Sequence, residues 1–260
     1  MDRTDGVVPK QQRWFADRYA ENARFVSDLA EPLIDILNPK AGELILDLGC
    51  GDGALTKLAS NTGAITIGAD ASLDQVAATR NLGIPGAVVD GHNLAFKEVF
   101  DAILTNAALH WMTRPDEVIQ GMWNALKPGG RLVGEMGGMG NIAKITHALT
   151  EALARRRLDD QIQFPWYFPD ENDYRKRLEN QGFDVNYIEL IPRPTPLPGE
   201  FTAWLDTFGE HFVFLVPDSE RDDFKEEVAE ALRQDLYEPH DKWVADYVRL
   251  RFSATRPAKP

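Results

Sequence analysis

Between residues 43 and 135 short, nearly continuous apolar runs alternate with segments of helical composition. The runs Glu43–Leu48, Ala64–Ala69, Ala87–Asp90, Phe100–Thr105 and Arg131–Glu135 have no polar alternation, as expected of strands buried on both faces of a parallel sheet. Helices are predicted between them. Ala54–Ser60 follows the first run, Ser72 can cap a helix that continues to Arg80, and Arg114–Leu126 carries Pro115 and Asp116 near its start. Lys127-Pro128-Gly129-Gly130 predicts a hard turn before the fifth run. Strand and helix alternating in this way give an α/β, doubly wound, Rossmann-like sheet.

The flanks follow other rules. Residues 11–38 place Trp14, Phe15, Tyr19, Phe25, Leu29, Leu33 and Leu37 at helical spacing, with a break at Pro32. They suggest an N-terminal helical cap over residues 1–42, ahead of a main domain spanning 43–260. Beyond Gly140, helices are predicted at 142–158, 171–181, 200–208 and 219–237. Strands are predicted at 183–191 and 246–255, which bring the sheet to seven. The helical stretch at about 195–240 reads as a lid inserted before the last strand.

Composition narrows the partners. The chain has 260 residues, 43% of them hydrophobic, and a net charge of −13. So acidic a surface disfavours nucleic acid and anionic membranes as partners. The densest basic run, Arg155-Arg156-Arg157, is followed by Asp159 and Asp160 and reads as a solvated helix face. The single cysteine excludes an internal disulfide, no apolar leader is apparent at the N-terminus, and no stretch approaches the about 18 apolar residues of a membrane span. A cytoplasmic location is expected.

The candidate chemistry begins at Gly49-Cys50-Gly51-Asp52-Gly53, directly after the first strand. Such a turn brings backbone close to a ligand. With Ala54 the spacing also satisfies a dinucleotide fingerprint, so spacing does not separate the ligands. Asp47 does: a carboxylate there repels a pyrophosphate but suits the ammonium of an amino-acid ligand such as S-adenosylmethionine (SAM). Asp70 ends the second strand where a carboxylate can accept from both ribose hydroxyls, and Asp90 ends the third, on the adenine side. An NAD-dependent oxidoreductase is disfavoured by Asp47 and by the lack of a catalytic Tyr-x-x-x-Lys.

These residues resemble class I SAM-dependent methyltransferases. Leu46–Gly53 is similar to that family's first motif, Phe100–Asn106 to its fourth strand and Leu126–Leu132 to the turn into its fifth. Tyr19, the segment Asn106-Ala107-Ala108-Leu109-His110-Trp111 and the final Val248–Ala254 resemble the small-molecule subgroup typified by trans-aconitate methyltransferase, although position 110 departs from the glutamine common there. The resemblance implies SAM as cofactor, S-adenosylhomocysteine as product, and a last strand antiparallel to the others. It places Gln12, Tyr19, Asp47, Gly49, Cys50, Gly51, Asp70, Ala71, Asp90, Gly91, Asn106 and Ala107 at the cofactor. Amino-group methyltransferases of nucleic acids carry Asn/Asp-Pro-Pro-Tyr where this chain has Asn106-Ala107-Ala108-Leu109.

For the acceptor side, His110 lies just past the fourth strand as a base or contact, and it is the candidate catalytic residue. Trp111, Glu135, Trp166, Trp204 and His211 are candidate pocket residues. No metal set is expected, because the histidines lack ligand spacing. The expected activity is SAM-dependent methyl transfer to a small organic molecule, at a carboxylate or hydroxyl oxygen. The alternative is a SAM-binding cyclase, or a C- or N-methyltransferase of a natural-product pathway, on the same fold.

Overall fold

A computed structural model describes residues 30–239 and 242–259. Gln12, Tyr19 and most of the predicted 11–38 helix lie outside the described residues. Helix α1 (Glu31–Leu37) is the part that falls within them, with Pro32 in its first turn and Asn38 at its C-cap.

The apolar runs form strands β1 (Leu44–Leu48), β2 (Ile65–Asp70), β3 (Gly86–Val88), β4 (Phe100–Asn106) and β5 (Leu126–Gly137). Between them lie α2 (Ala54–Ser60), α3 (Leu73–Asn81) and α4 (Pro115–Ala125). Ser72 caps α3 by accepting from the Gln75 amide. Strand β6 (Asp184–Pro192) follows α5 (Ala143–Arg155) and α6 (Glu171–Gln181), and β10 (Val248–Thr255) ends the sheet. The strand order is β3-β2-β1-β4-β5-β10-β6, with β10 antiparallel to both its neighbours. The chain reverses direction across the sheet between β1 and β4, so the crevice for a ligand opens at their carboxyl ends.

Alternation along β1 supplies both faces. Ile45 packs with Leu33 and Leu37 of α1 and Leu55 of α2, whereas Leu46 and Leu48 pack with Val118, Ile119 and Met122 of α4. The Lys127–Gly130 turn does not precede β5. It loops out of the strand instead, because pairing jumps from Phe100↔Leu126 to Ala102↔Arg131.

The insertion holds α7 (Phe201–Phe208), α8 (Glu210–Val213) and α9 (Arg221–Leu236). Sequence periodicity missed α8, which is a single turn, and it missed a small second sheet. That sheet joins β7 (Thr195–Pro196), β8 (Tyr237–Glu238) and β9 (Lys242–Ala245) in the order β7-β9-β8. Strands of two to four residues carry too little alternation to register. Phe201, Leu205, Phe224 and Val228 of the insertion share one core with Ile145, Leu149 and Leu153 of α5. Among the described residues no helix is long and apolar enough to cross a membrane.

Candidate active site

A cavity of about 1030 Å³ opens at the carboxyl ends of β1, β2, β3 and β4. This is at the upper end of the roughly 300–1000 Å³ usual for ligand sites. One end is built from the glycine turn. Gly49 takes φ +74°, and a Cβ there would overlap the side chain of Ala108, so only glycine lets β1 and the segment after β4 approach this closely. Gly51 also lines the cavity. Its amide donates to Asp70 Oδ2 at 3.1 Å, while Ser72 donates to Asp70 Oδ1 at 2.9 Å. Both Asp70 oxygens are thereby aimed and keep lone pairs for a ligand diol. Burial pushes the Asp70 carboxyl above its ordinary value, opposed by these amide bonds.

Ala71, Asp90, Gly91, Asn106 and Ala107, all candidates for the cofactor side, continue the wall. Asp90 also serves its own turn: it accepts from the His92 amide at 2.9 Å and from Asn93 Nδ2 at 3.3 Å, and it meets His92 Nδ1 at 2.8 Å. Those amide and ring contacts outweigh desolvation and hold its carboxyl below the ordinary range. Ala107 adopts φ +52°, strained for a residue with a Cβ, and its amide donates to the Glu135 carbonyl at 2.8 Å.

Three predicted residues stand elsewhere. Asp47 is 2% exposed and accepts a 2.6 Å bond from Thr56 Oγ1, behind the turn and not on the described cavity wall. Desolvation pushes its carboxyl up to about 7. The Cys50 thiol is buried against Thr79 Oγ1 at 3.4 Å, and burial raises its pKa. Thr79 also donates to the Gly51 carbonyl at 2.9 Å. These two positions brace the turn from behind. Glu135, expected in the substrate pocket, is 2% exposed and instead pairs with Arg193 and with Arg251, the latter at 2.7 Å. Register explains the correction, since Glu135 sits directly opposite Arg251 across the β5–β10 ladder.

The other end of the cavity is aromatic. The candidate pocket residues Trp111, Trp166, Trp204 and His211 line it, together with Phe168 and Phe208. Trp166 stacks on Phe168 at 5.8 Å between centroids and meets Trp111 edge-on at 5.7 Å. Trp204 Nε1 donates to Tyr247 Oη at 2.7 Å, which fastens the insertion to the segment before β10. Tyr247 and Arg249 line this end as well, with the Arg249 guanidinium 4.4 Å from the Tyr247 ring centroid. Sequence reasoning missed both: the reading of 246–255 as a strand says nothing about which of its residues meets a cavity.

His110 lines the junction between the two ends. Its Nδ1 accepts a 3.2 Å hydrogen bond from the Gly137 amide, and its ring lies 5.6 Å from Trp111 and 5.8 Å from Phe168. Burial, and secondarily the charge of Arg249, hold its pKa well below the ordinary histidine value. The part of a base expected of it does not fit, because Nδ1 is occupied by a donor and the cation is disfavoured.

A strand-end glycine turn, an acid held by two amides at the end of the next strand and an aromatic chamber alongside suit an adenosyl ligand of the class I SAM-dependent kind. The model of a methyltransferase domain matches residues 46–134. An uncharacterized methyltransferase of Schizosaccharomyces pombe is 37% identical over 254 residues, covering 93% of this chain and 97% of the relative. The trans-aconitate 2-methyltransferase of Mycobacterium tuberculosis is 33% identical over 114 residues, 43% of each chain. Among solved structures, a protein of Bacillus halodurans superposes with TM-score 0.63 at 19% identity, covering 89% of this chain and all of that one, and so shares the fold. The chain therefore belongs to the SAM-dependent methyltransferase family, and SAM is its cofactor. The open cradle at Gly49 and the doubly aimed Asp70 suit that ligand: Asp70 would hold the ribose, and Asn106 and Ala107 would flank the methionine arm.

Proposed function

We propose that this protein methylates an oxygen of a small organic acid, giving a methyl ester and S-adenosylhomocysteine. When bound, the cofactor supplies an electrophilic methyl carbon on a positively charged sulfur. Everything else falls to the chain's own residues. The aromatic chamber of Trp111, Trp166, Phe168 and Trp204 would wall the acceptor from water and align it, and alignment with water exclusion supplies much of the acceleration in such a displacement. A carboxylate oxygen forms the new O–C bond as the C–S bond breaks, and no proton has to move.

The observation that carries this reading is the state of His110. A hydroxyl acceptor has to give up its proton, and His110, the histidine beside the segment after β4, has its Nδ1 tied to Gly137. A carboxylate has none to give up. Arg249 adds positive charge to the same end of the cavity.

The test is incubation with methyl-labelled SAM and a panel of small mono-, di- and tricarboxylates, trans-aconitate among them, read by product mass. A gain of one labelled methyl that saponification releases supports the proposal. Methylation on nitrogen or carbon refutes it. Product of unchanged mass but altered structure would assign the protein to the cyclase alternative instead.

A further inference from the structure

His110 is held from several directions. Its carbonyl accepts from the Tyr167 amide at 2.8 Å, its Nδ1 accepts from the Gly137 amide at 3.2 Å, and its ring lies against Trp111 and Phe168. An amide N–H can only donate, so Nδ1 must present its lone pair, and the one proton of the neutral ring then sits on Nε2. With Nδ1 turned to β5, the edge left for the cavity carries Nε2. The residue is 7% exposed and lines the cavity between the cofactor turn and the aromatic chamber.

We propose that His110 is a positioning residue, a fixed Nε2–H donor that binds an acceptor-only oxygen of the methyl acceptor and orients its nucleophilic atom. The partner atom is a carbonyl oxygen or the second oxygen of a carboxylate. This rests on the methyl-transfer reading for what the donor serves, though not for the tautomer itself. The surroundings agree with a ring that stays neutral. Arg249 faces it from β10, Gly137 from β5 and Phe168 from the loop before α6, while Asp70, Asp90 and His211 lie on other parts of the same cavity wall. Protonation would set a cation beside Arg249 and turn Nδ1 into a second donor facing the Gly137 amide.

The test begins with 15N spectra of the full chain labelled at histidine and saturated with S-adenosylhomocysteine. The signals of His110 are those that His110→Gln removes. A pyridine-type Nδ1 and a pyrrole-type Nε2, unchanged from about pH 5.5 to 8, are expected. The reversed pattern, or a ring that protonates within that range, overturns the proposal. The second readout uses the panel acid that takes up the label. His110→Gln, whose side-chain amide can place an N–H near the Nε2 position, should keep kcat/KM within about threefold, whereas His110→Ala loses about tenfold or more. The wild-type profile should show no histidine titration. Equal losses in both variants, or a rate that climbs along a histidine curve, overturn the donor role. If no acid of the panel is methylated, the proposed reaction fails, and the spectra still decide the tautomer.

Discussion

Glu135 offers the sharpest test of how the sheet supports the site. Its carboxylate is 2% exposed and is shared by two guanidinium groups: Arg251, opposite it on β10, and Arg193, just beyond β6. The two arginine side chains are 13% and 17% exposed, so solvent screens the cluster weakly. Glu135→Gln keeps the shape but leaves two cations facing each other with half the acceptors gone. Breaking a buried pair from one side costs about 3–5 kcal/mol, and the partly exposed arginines place this case near the lower figure, about 3 kcal/mol. For a chain of this size that lowers the melting temperature by roughly 6–12 °C, at about 2–4 °C per kcal/mol. Adding Arg251→Met should recover part of the loss, because the extra cation is then removed as well. The assay pairs thermal unfolding by circular dichroism with calorimetric binding of S-adenosylhomocysteine. Binding should survive at temperatures where the variant is folded, since Glu135 reaches the cavity wall only through its backbone carbonyl, which receives the Ala107 amide. An unchanged melting temperature combined with altered catalysis would show that Glu135 serves the substrate, as its position at the end of the fifth strand first suggested.

Three further outcomes follow from the cradle. Asp70→Ala would remove the two carboxylate–hydroxyl bonds proposed for the ribose, about 1.5–3 kcal/mol each, so S-adenosylhomocysteine affinity should fall about a hundredfold or more by calorimetry, and an unchanged value would remove Asp70 from the ribose. Gly49→Ala forces a Cβ onto Ala108 at φ +74° and should weaken the same binding by about tenfold or more. Adding Ala108→Gly should restore binding in part, and no rescue would place the fault elsewhere. Asp47 has a folded-state carboxyl near pH 7 against an ordinary 3.8, so between those values the folded chain holds a proton that the unfolded chain has released. Stability from this group is therefore lost as pH rises through that window. Asp47→Asn, which retains an acceptor for Thr56, should gain stability relative to wild type from about pH 4 to 7 and level off above it in urea unfolding. A difference that stays flat or falls would contradict the burial argument.

Much of this was legible in the residues alone, for a physical reason. Continuous apolar runs, helix caps and glycines at strand ends are local constraints, and they were enough to predict β1, β2, β4 and the α2 and α6 boundaries, and to single out Gly49, Gly51 and Asp70, which the fold brings to one cavity. Local pattern says which backbone can form, and where it must turn. It does not say what a side chain faces once distant strands pair. Only the β5–β10 register turned Glu135 away from substrate and onto Arg251. Only packing of α2 behind the turn hid Asp47 against Thr56, and only the folded end of β5 brought the Gly137 amide to His110 and set its proton. Tyr247 and Arg249 likewise became cavity residues through the way β10 pairs between β5 and β6, a consequence of contacts more than 100 residues apart along the chain for the β5–β10 pairing. The sequence by itself determined the fold and, through its resemblance to a family and not through Asp47, the cofactor. The tertiary structure decided which charges are free to meet a ligand, because burial and cross-strand pairing set each group's partners.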